Sequence, residues 1–328
     1  MRPWGLARRA LAGALAVAAV AVVSGCGGDS DEPDRPPEVD PTGFSPPAPS
    51  GRSFRDLLGN YPGGPVVAPG VSLLAPGENR FGFALFDRGN RQIGGLRSYV
   101  YVARGVDETA HGPFEAHYRR IEVEPEFRSR NVSEDPDSAR SIYVAEVDFP
   151  RGGSYLVAAV TLLNGRPVAA QPAQVRVGGA RQVPAVGDRA VRVHTPTVAS
   201  VGGNMEAIET RVPPDSMHEV DLAEALDDGR PVVLLFSSPA LCESRVCGPV
   251  TDVTEQVRSE FEGDAEFIHV EFYEDNDLRK GPRRAARAWG LETEPILFTI
   301  DSEGVVAARL EGAFSPDELR AAVRRALR

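Results

Sequence analysis

The sequence predicts two folded domains in series, an all-β sandwich and then an α/β domain, and three features point there. Between residues 70 and 180, short runs of alternating apolar and polar residues are broken by turn residues. From residue 213 on, continuous apolar runs alternate with helical stripes. A close cysteine pair, Cys242 and Cys247, falls between the first long run of that region and the helix after it. With 328 residues, the chain is long enough for two cores. Its formal net charge of −11 argues against a nucleic-acid partner, which would favour a basic face.

The first residues read as a leader. Arg2, Arg8 and Arg9 form a basic head, and the apolar run ALAGALAVAAVAVV (10–23) leads to Ser24-Gly25-Cys26. This is the layout of a signal peptide over 1–25, and the run is too short for a comfortable membrane span. Val23-Ser24-Gly25-Cys26 resembles a bacterial lipobox. That resemblance implies a lipid on Cys26 and a protein anchored to the outer face of the cell membrane. Residues 26–69 are rich in Pro, Gly and acids, as in GGDSDEPDRPPEVDPTGFSPPAPSG (27–51), and read as a disordered tether, with order resuming between Phe54 and Val66.

Candidate strands over 70–180 begin at VSLL (72 onward) and continue with RFGFALFD (80–87), RSYVYVAR (97–104) and HYRRIEV (117–123). RSIYVAEVDF (140–149), SYLVAAVTLL (154–163) and PVAAQPAQVRV (167–177) follow. Phe81, Phe83 and Leu85 share one face, as do Tyr143, Ala145 and Val147. About seven short strands with turn signals between them imply an immunoglobulin-like sandwich. His111, Glu115 and His117 fall here without a ligand spacing and read as polar surface. Residues 181–212 show little periodicity and read as a linker.

The domain expected over 213–328 opens with a short helix, DLAEALDDG (221–229), and a buried strand, RPVVLLFSS (230–238). VTDVTEQVRSEF (250–261) carries a stripe of Val250, Val253, Val257 and Phe261, which predicts a helix. A second strand, AEFIHVEFYE (265–274), and a helix from near Pro282 to Gly290 come next. A hairpin of ILFTID (296–301) and VVAARL (305–310) follows. Ser315-Pro316-Asp317-Glu318 starts the last helix with the pattern of a capping box.

This order, with cysteines between the first long strand and its helix, resembles thioredoxin over residues 213–328. Phe236 ends the strand before the loop, Cys247-Gly248-Pro249 repeats part of the family's Cys-Gly-Pro-Cys, and Trp289-Gly290-Leu291 resembles its aromatic-Gly-aliphatic turn. Glu294-Pro295 stands where the family has its cis-proline. With the lipobox, the resemblance extends to thioredoxin-like lipoproteins of actinobacteria. It implies thiol–disulfide exchange through Cys242 and Cys247, with Pro295 shaping the substrate groove. The implied partners are thiols and disulfides of envelope or secreted proteins.

The departures from that pattern are specific. Four residues separate the cysteines instead of two, and positions five apart on a helix lie about 140° from each other. The chain must therefore loop from Cys242 and enter the helix near Cys247. Either the pair matches the family's pair with an insertion, or Cys247 takes the first position and Val250 the second. Leu235 stands where the family has a buried acid, and Glu294 puts a charge beside the proline.

With Cys26 lipidated, the two remaining cysteines are near neighbours in an exported chain, where a disulfide persists. Two other readings stay open. The disulfide could be a staple in a non-catalytic envelope binding protein. Alternatively, the cysteines with His218, Met217 or His269 could handle copper, since soft sulfur ligands suit Cu(I); His269, on a strand, reads as a core residue. No cofactor and no metal site is expected from any spacing in the chain.

Overall fold

The computed structural model describes residues 44–179 and 183–328. The expected signal peptide (1–25), the lipidation site Cys26 and the tether up to residue 43 lie outside these residues. Among the described residues, no helix is long and apolar enough to cross a membrane.

The first half runs α1 (Phe54–Leu58), β1 (Gly63–Pro69), β2 (Gly77–Phe86), β3 (Gln92–Ile93), β4 (Ser98–Ala103) and β5 (His111–Arg120). It continues with α2 (Arg130–Glu134), β6 (Ser141–Phe149), β7 (Gly153–Leu163), β8 (Arg166–Gln171) and β9 (Ala173–Val177). Order begins at Phe54, within the window expected for it, but the barrel's first strand lies ahead of the strand boundary expected at residue 70. Gly63, Gly64, Pro65 and Pro69 disguise β1 as tether, because Gly and Pro are depleted in strands.

That strand changes the architecture. It pairs parallel with β8 and antiparallel with β2. Seven strands then close in the order β1-β8-β7-β4-β5-β6-β2 and back to β1, with β3 beside β2 and β9 beside β7. The expected sandwich of two separate sheets is thus replaced by one sheet closed into a barrel. Period-two alternation cannot tell the two apart, since both bury one face of every strand. The shared faces read from the sequence do point inward: Phe81, Phe83 and Leu85 pack with Tyr143, Ala145 and Val147 inside. Each buried Phe, Leu or Val side chain there contributes about 1.5–3 kcal/mol. On the outside, Phe54 and Leu57 of α1 cover Tyr99, Tyr101, Ala158 and Val160. His111, Glu115 and His117 of β5 are exposed, as surface residues should be.

The second half runs α3 (Leu222–Asp227), β10 (Val232–Phe236), α4 (Cys247–Glu260), β11 (Glu266–Val270), α5 (Arg284–Ala288), β12 (Ile296–Ile300), β13 (Val306–Glu311) and α6 (Pro316–Ala326). The sheet order is β11-β10-β12-β13, parallel at β10–β11 and antiparallel at the other two pairs. Alternate residues of β10 serve the two faces. Val233 and Leu235 pack with Val250, Val253 and Val257 of α4 and Leu319 and Val323 of α6. Val232, Leu234 and Phe236 pack with Leu222, Ala285 and Trp289. The capping box of α6 forms as expected, Ser315 and Glu318 each accepting from the other's backbone N–H. This half has the element order that the resemblance to thioredoxin implies.

The barrel and the sheet share a core. Ile142 and Val144 on the outer face of β6 and Ile121 pack into the cluster of α4 and α6. Glu311, at the end of β13, accepts from Ser72 N (2.7 Å) and Leu73 N (2.9 Å), and Arg80 meets Glu318 at 2.8 Å. Gly312 has φ of 68°, and a Cβ there would collide with the Gly70 carbonyl, so only glycine allows this approach. The segment expected as a linker (181–212) is packed from residue 183 on: Val183 and Val193 join the sheet's second core, and Gly187 N donates to Val306 O at 2.9 Å.

Candidate functional site

The cysteine loop leaves β10 at Ser237 and turns back on itself. Cys242 N donates to Ser238 O and Arg245 N to Cys242 O. Arg245 takes φ of 58°, the left-handed turn that brings the chain into α4. Its carbonyl accepts from Ala139 N (3.1 Å), and its guanidinium meets Asp135 at 2.6 Å. The Arg245 side chain beside it holds the Asp135 carboxyl below its usual value. Both contacts come from the excursion between β5 and β6, so the barrel holds the loop.

Cys242 and Cys247 are joined by a disulfide, with Cα atoms 5.9 Å apart, within the ordinary span. Cys247 is the first residue of α4 and is fully buried; Cys242 precedes the helix and is half-buried. Pro249 falls in the first turn, where its missing N–H costs no helical bond. Cys247-Gly248-Pro249-Val250 therefore opens the helix, with Cys242 in the loop before it. The helix dipole and the free N–H groups of the first turn favour negative charge there. Gly248 lets the barrel come close: a Cβ on it would lie 3.0 Å from Val132 Cγ2 of α2.

The Glu294–Pro295 peptide is cis, and Pro295 is buried. A Glu294 carboxylate oxygen and both sulfurs lie within 4.8 Å of one another. Both Glu294 oxygens are shut off from solvent and lack a hydrogen-bond partner. Burial, reinforced by the Glu271 carboxylate, pushes Glu294 up to about 8; Ser238 lies close enough to ease this but outside hydrogen-bond geometry. Leu235 is indeed apolar core beneath α4. An acid reaches the cysteines from the proline loop instead. Glu243, in the loop between the two cysteines, is exposed.

A buried ion pair locks the excursion against α4. Asp252 accepts from Arg211 Nε (2.9 Å), Ser129 N (2.9 Å) and Ser129 Oγ (3.1 Å). Arg211 also donates to Phe127 O and Pro213 O, each at 2.7 Å. Burial raises Asp252 and Arg211 opposes that shift.

His218 and His269 do come together, their ring centroids 5.1 Å apart, but with Glu209 and Asp215 and not with the cysteines. Met217 is core. The sulfur-rich copper site is therefore not assembled. His269 accepts the penalty of burial, yet Asp215 and Glu209 hold its imidazolium well above the ordinary range. Glu271, the residue that follows β11, is raised to about 7 by burial; its Oε1 accepts from Thr210 N (2.7 Å) and its Oε2 has no partner. Glu209, Arg211, Asp215, Asp252 and Glu271 escaped the sequence reading. One signal was available: His269 and Glu271 are two apart in one apolar run, although Glu271 falls just past the end of β11.

No family model and no curated protein matches the chain. Among solved structures, it is similar to the crystal structure of a thiol:disulfide interchange protein, a thioredoxin family protein from Chlorobium tepidum TLS. The identity is 17%, the match covers 46% of this chain and 100% of that one, and the TM-score is 0.29. At a score that low, the fold rests on the element order and strand pairing above. Those give a thioredoxin-like half with a bonded cysteine pair at C-x4-C spacing.

Proposed function

We propose that the protein exchanges thiols and disulfides with envelope or secreted proteins through Cys242 and Cys247, anchored by a lipid on Cys26 at the outer membrane face. The observation that carries this reading is the asymmetry of the pair. Cys242 is half-exposed in a loop, Cys247 is buried at a helix start, and an unpartnered carboxylic acid lies beside both. In the reducing direction, the Cys242 thiolate attacks a partner disulfide, forming a mixed disulfide and releasing one partner thiolate. The ionised fraction of Glu294, whose carboxyl titrates up at about 8, takes the Cys247 proton as that sulfur attacks the Cys242 sulfur, and passes it to the departing partner thiolate. The partner leaves as a dithiol and the internal disulfide re-forms, with two electrons passed to the partner. The reverse sequence oxidises a partner dithiol, and the helix start stabilises the Cys247 thiolate as it leaves. Pro295 borders the groove in which the partner lies.

Cys247→Ser leaves Cys242 able to attack but removes the resolving sulfur, so this variant should accumulate mixed disulfides in the envelope. Cys242→Ser should accumulate few, because Cys247 is buried. No adduct with either variant would favour the staple, a reading supported by the barrel's cover over Cys247. For the anchor, membrane fractionation should retain the wild type and release Cys26→Ser; equal retention would remove the lipid from the account.

A further inference from the structure

Beside β11, four ionisable side chains converge: Glu209, Asp215, His218 and His269. One ligating atom of each lies within 4.8 Å of all the others. Their side chains are 2% exposed or less. We propose that this cluster binds one divalent transition-metal ion, Zn2+ fitting its geometry, through Glu209, Asp215, His218 Nε2 and His269 Nδ1.

The donor set is two imidazoles and two carboxylates, which suits Zn2+. Ligands on a tetrahedral Zn2+ with bonds near 2.0–2.1 Å stand roughly 3.3 Å apart. Here the contacts are His269 Nδ1 to Asp215 at 2.8 Å and to Glu209 at 3.7 Å, and His218 Nε2 to Glu209 at 3.0 Å and to Asp215 at 3.4 Å. Groups outside the cluster aim three of the donors. His269 Nε2 donates to Ser237 O (3.0 Å), which leaves Nδ1 facing the centre. A backbone acceptor on the far nitrogen is the usual second partner of a metal-bound histidine. Arg211 N donates to Glu209 Oε1 (2.7 Å) and Met217 N to Asp215 Oδ1 (2.9 Å), which sets Glu209 Oε2, itself accepting from Asp215 N (3.1 Å), and Asp215 Oδ2 against the imidazoles.

Charge supplies a separate reason. Two carboxylates buried among apolar residues need two positive charges nearby. A divalent ion provides both at one point. Four protein ligands leave no open position, which makes the site structural. It would clamp the 209–218 segment to β11, and through Ser237 to the strand that carries the cysteine loop.

The test uses the full chain with its disulfide intact, which keeps the sulfurs from binding metal. The protein is unfolded in guanidinium with a chelator and refolded with or without Zn2+. The expected result is about one Zn2+ retained per chain through gel filtration, and a melting temperature higher than that of the chelated protein. His218→Gln should bind roughly tenfold or more weakly. A Cys242→Ser/Cys247→Ser double variant should bind like the wild type. No retained Zn2+ with equal melting temperatures would overturn the proposal and leave protons holding the cluster. Undiminished Zn2+ in His218→Gln would also overturn it, by placing the ion elsewhere. If His218→Gln fails to fold, the wild-type comparison with and without Zn2+ still decides.

Discussion

Arg211→Met should destabilise the protein by about 3–5 kcal/mol, the cost of leaving a buried charge without its partner. The pair it breaks is 4% exposed at Arg211 and 1% at Asp252. The guanidinium also satisfies the Phe127 and Pro213 carbonyls, so three acceptors lose a donor together. Asp252 would then hold its proton more firmly, since burial already raises it and Arg211 is the main opposing influence. Adding Asp252→Asn should recover part of the loss by removing the stranded charge, so the double variant should be more stable than Arg211→Met alone. Urea unfolding of the four proteins measures this; additive losses would mean that the two residues act independently. Because Arg211 and Asp252 fasten the excursion over α4, Arg211→Met should also speed attack on the disulfide by small thiols.

Glu294→Gln should slow exchange by about 10²–10⁴-fold, the usual contribution of a positioned acid–base group. Glutamine keeps the shape but cannot take the Cys247 proton. A second readout separates proton transfer from packing. In the oxidised protein the cysteines do not titrate, while Glu294 keeps its proton up to about 8. The unfolded chain gives that proton up near 4.3. Between those values the folded state binds the extra proton, so stability is fully present below about 4.3 and falls as pH rises toward about 8, by up to about 1.4 kcal/mol per pH unit. Glu271, His269 and Tyr273 also face this carboxyl, and Glu271, at about 7, adds a slope of the same sign. The difference between wild type and Glu294→Gln isolates Glu294: the variant should gain stability relative to the wild type as pH rises from 5 to 8. Parallel stability curves would show that Glu294 is already ionised.

How much was legible follows from what local chemistry can express. The faces of β2 and β6, the stripe of α4 and the capping box of α6 depend on neighbours in sequence, and all appear where read. The C-x4-C spacing likewise forced Cys242 off the helix. Closure of the barrel depends on β1 meeting β8 about a hundred residues away, and its Gly and Pro content hid the strand. The strand offers only Leu235 where an acid would stand, and Glu294, read in the sequence beside Pro295, does lie against the sulfurs because its loop folds back over them. The apparent linker conceals Glu209 and Arg211 because a buried polar network leaves no periodic trace.

The reduction potential of the Cys242–Cys247 pair, measured by equilibration with glutathione, tests the central claim most directly. An exchanging pair should equilibrate and fall between about −270 and −120 mV, the range of working oxidoreductases. A value below about −300 mV, with no mixed disulfide formed, would contradict the account and leave the bond as a staple.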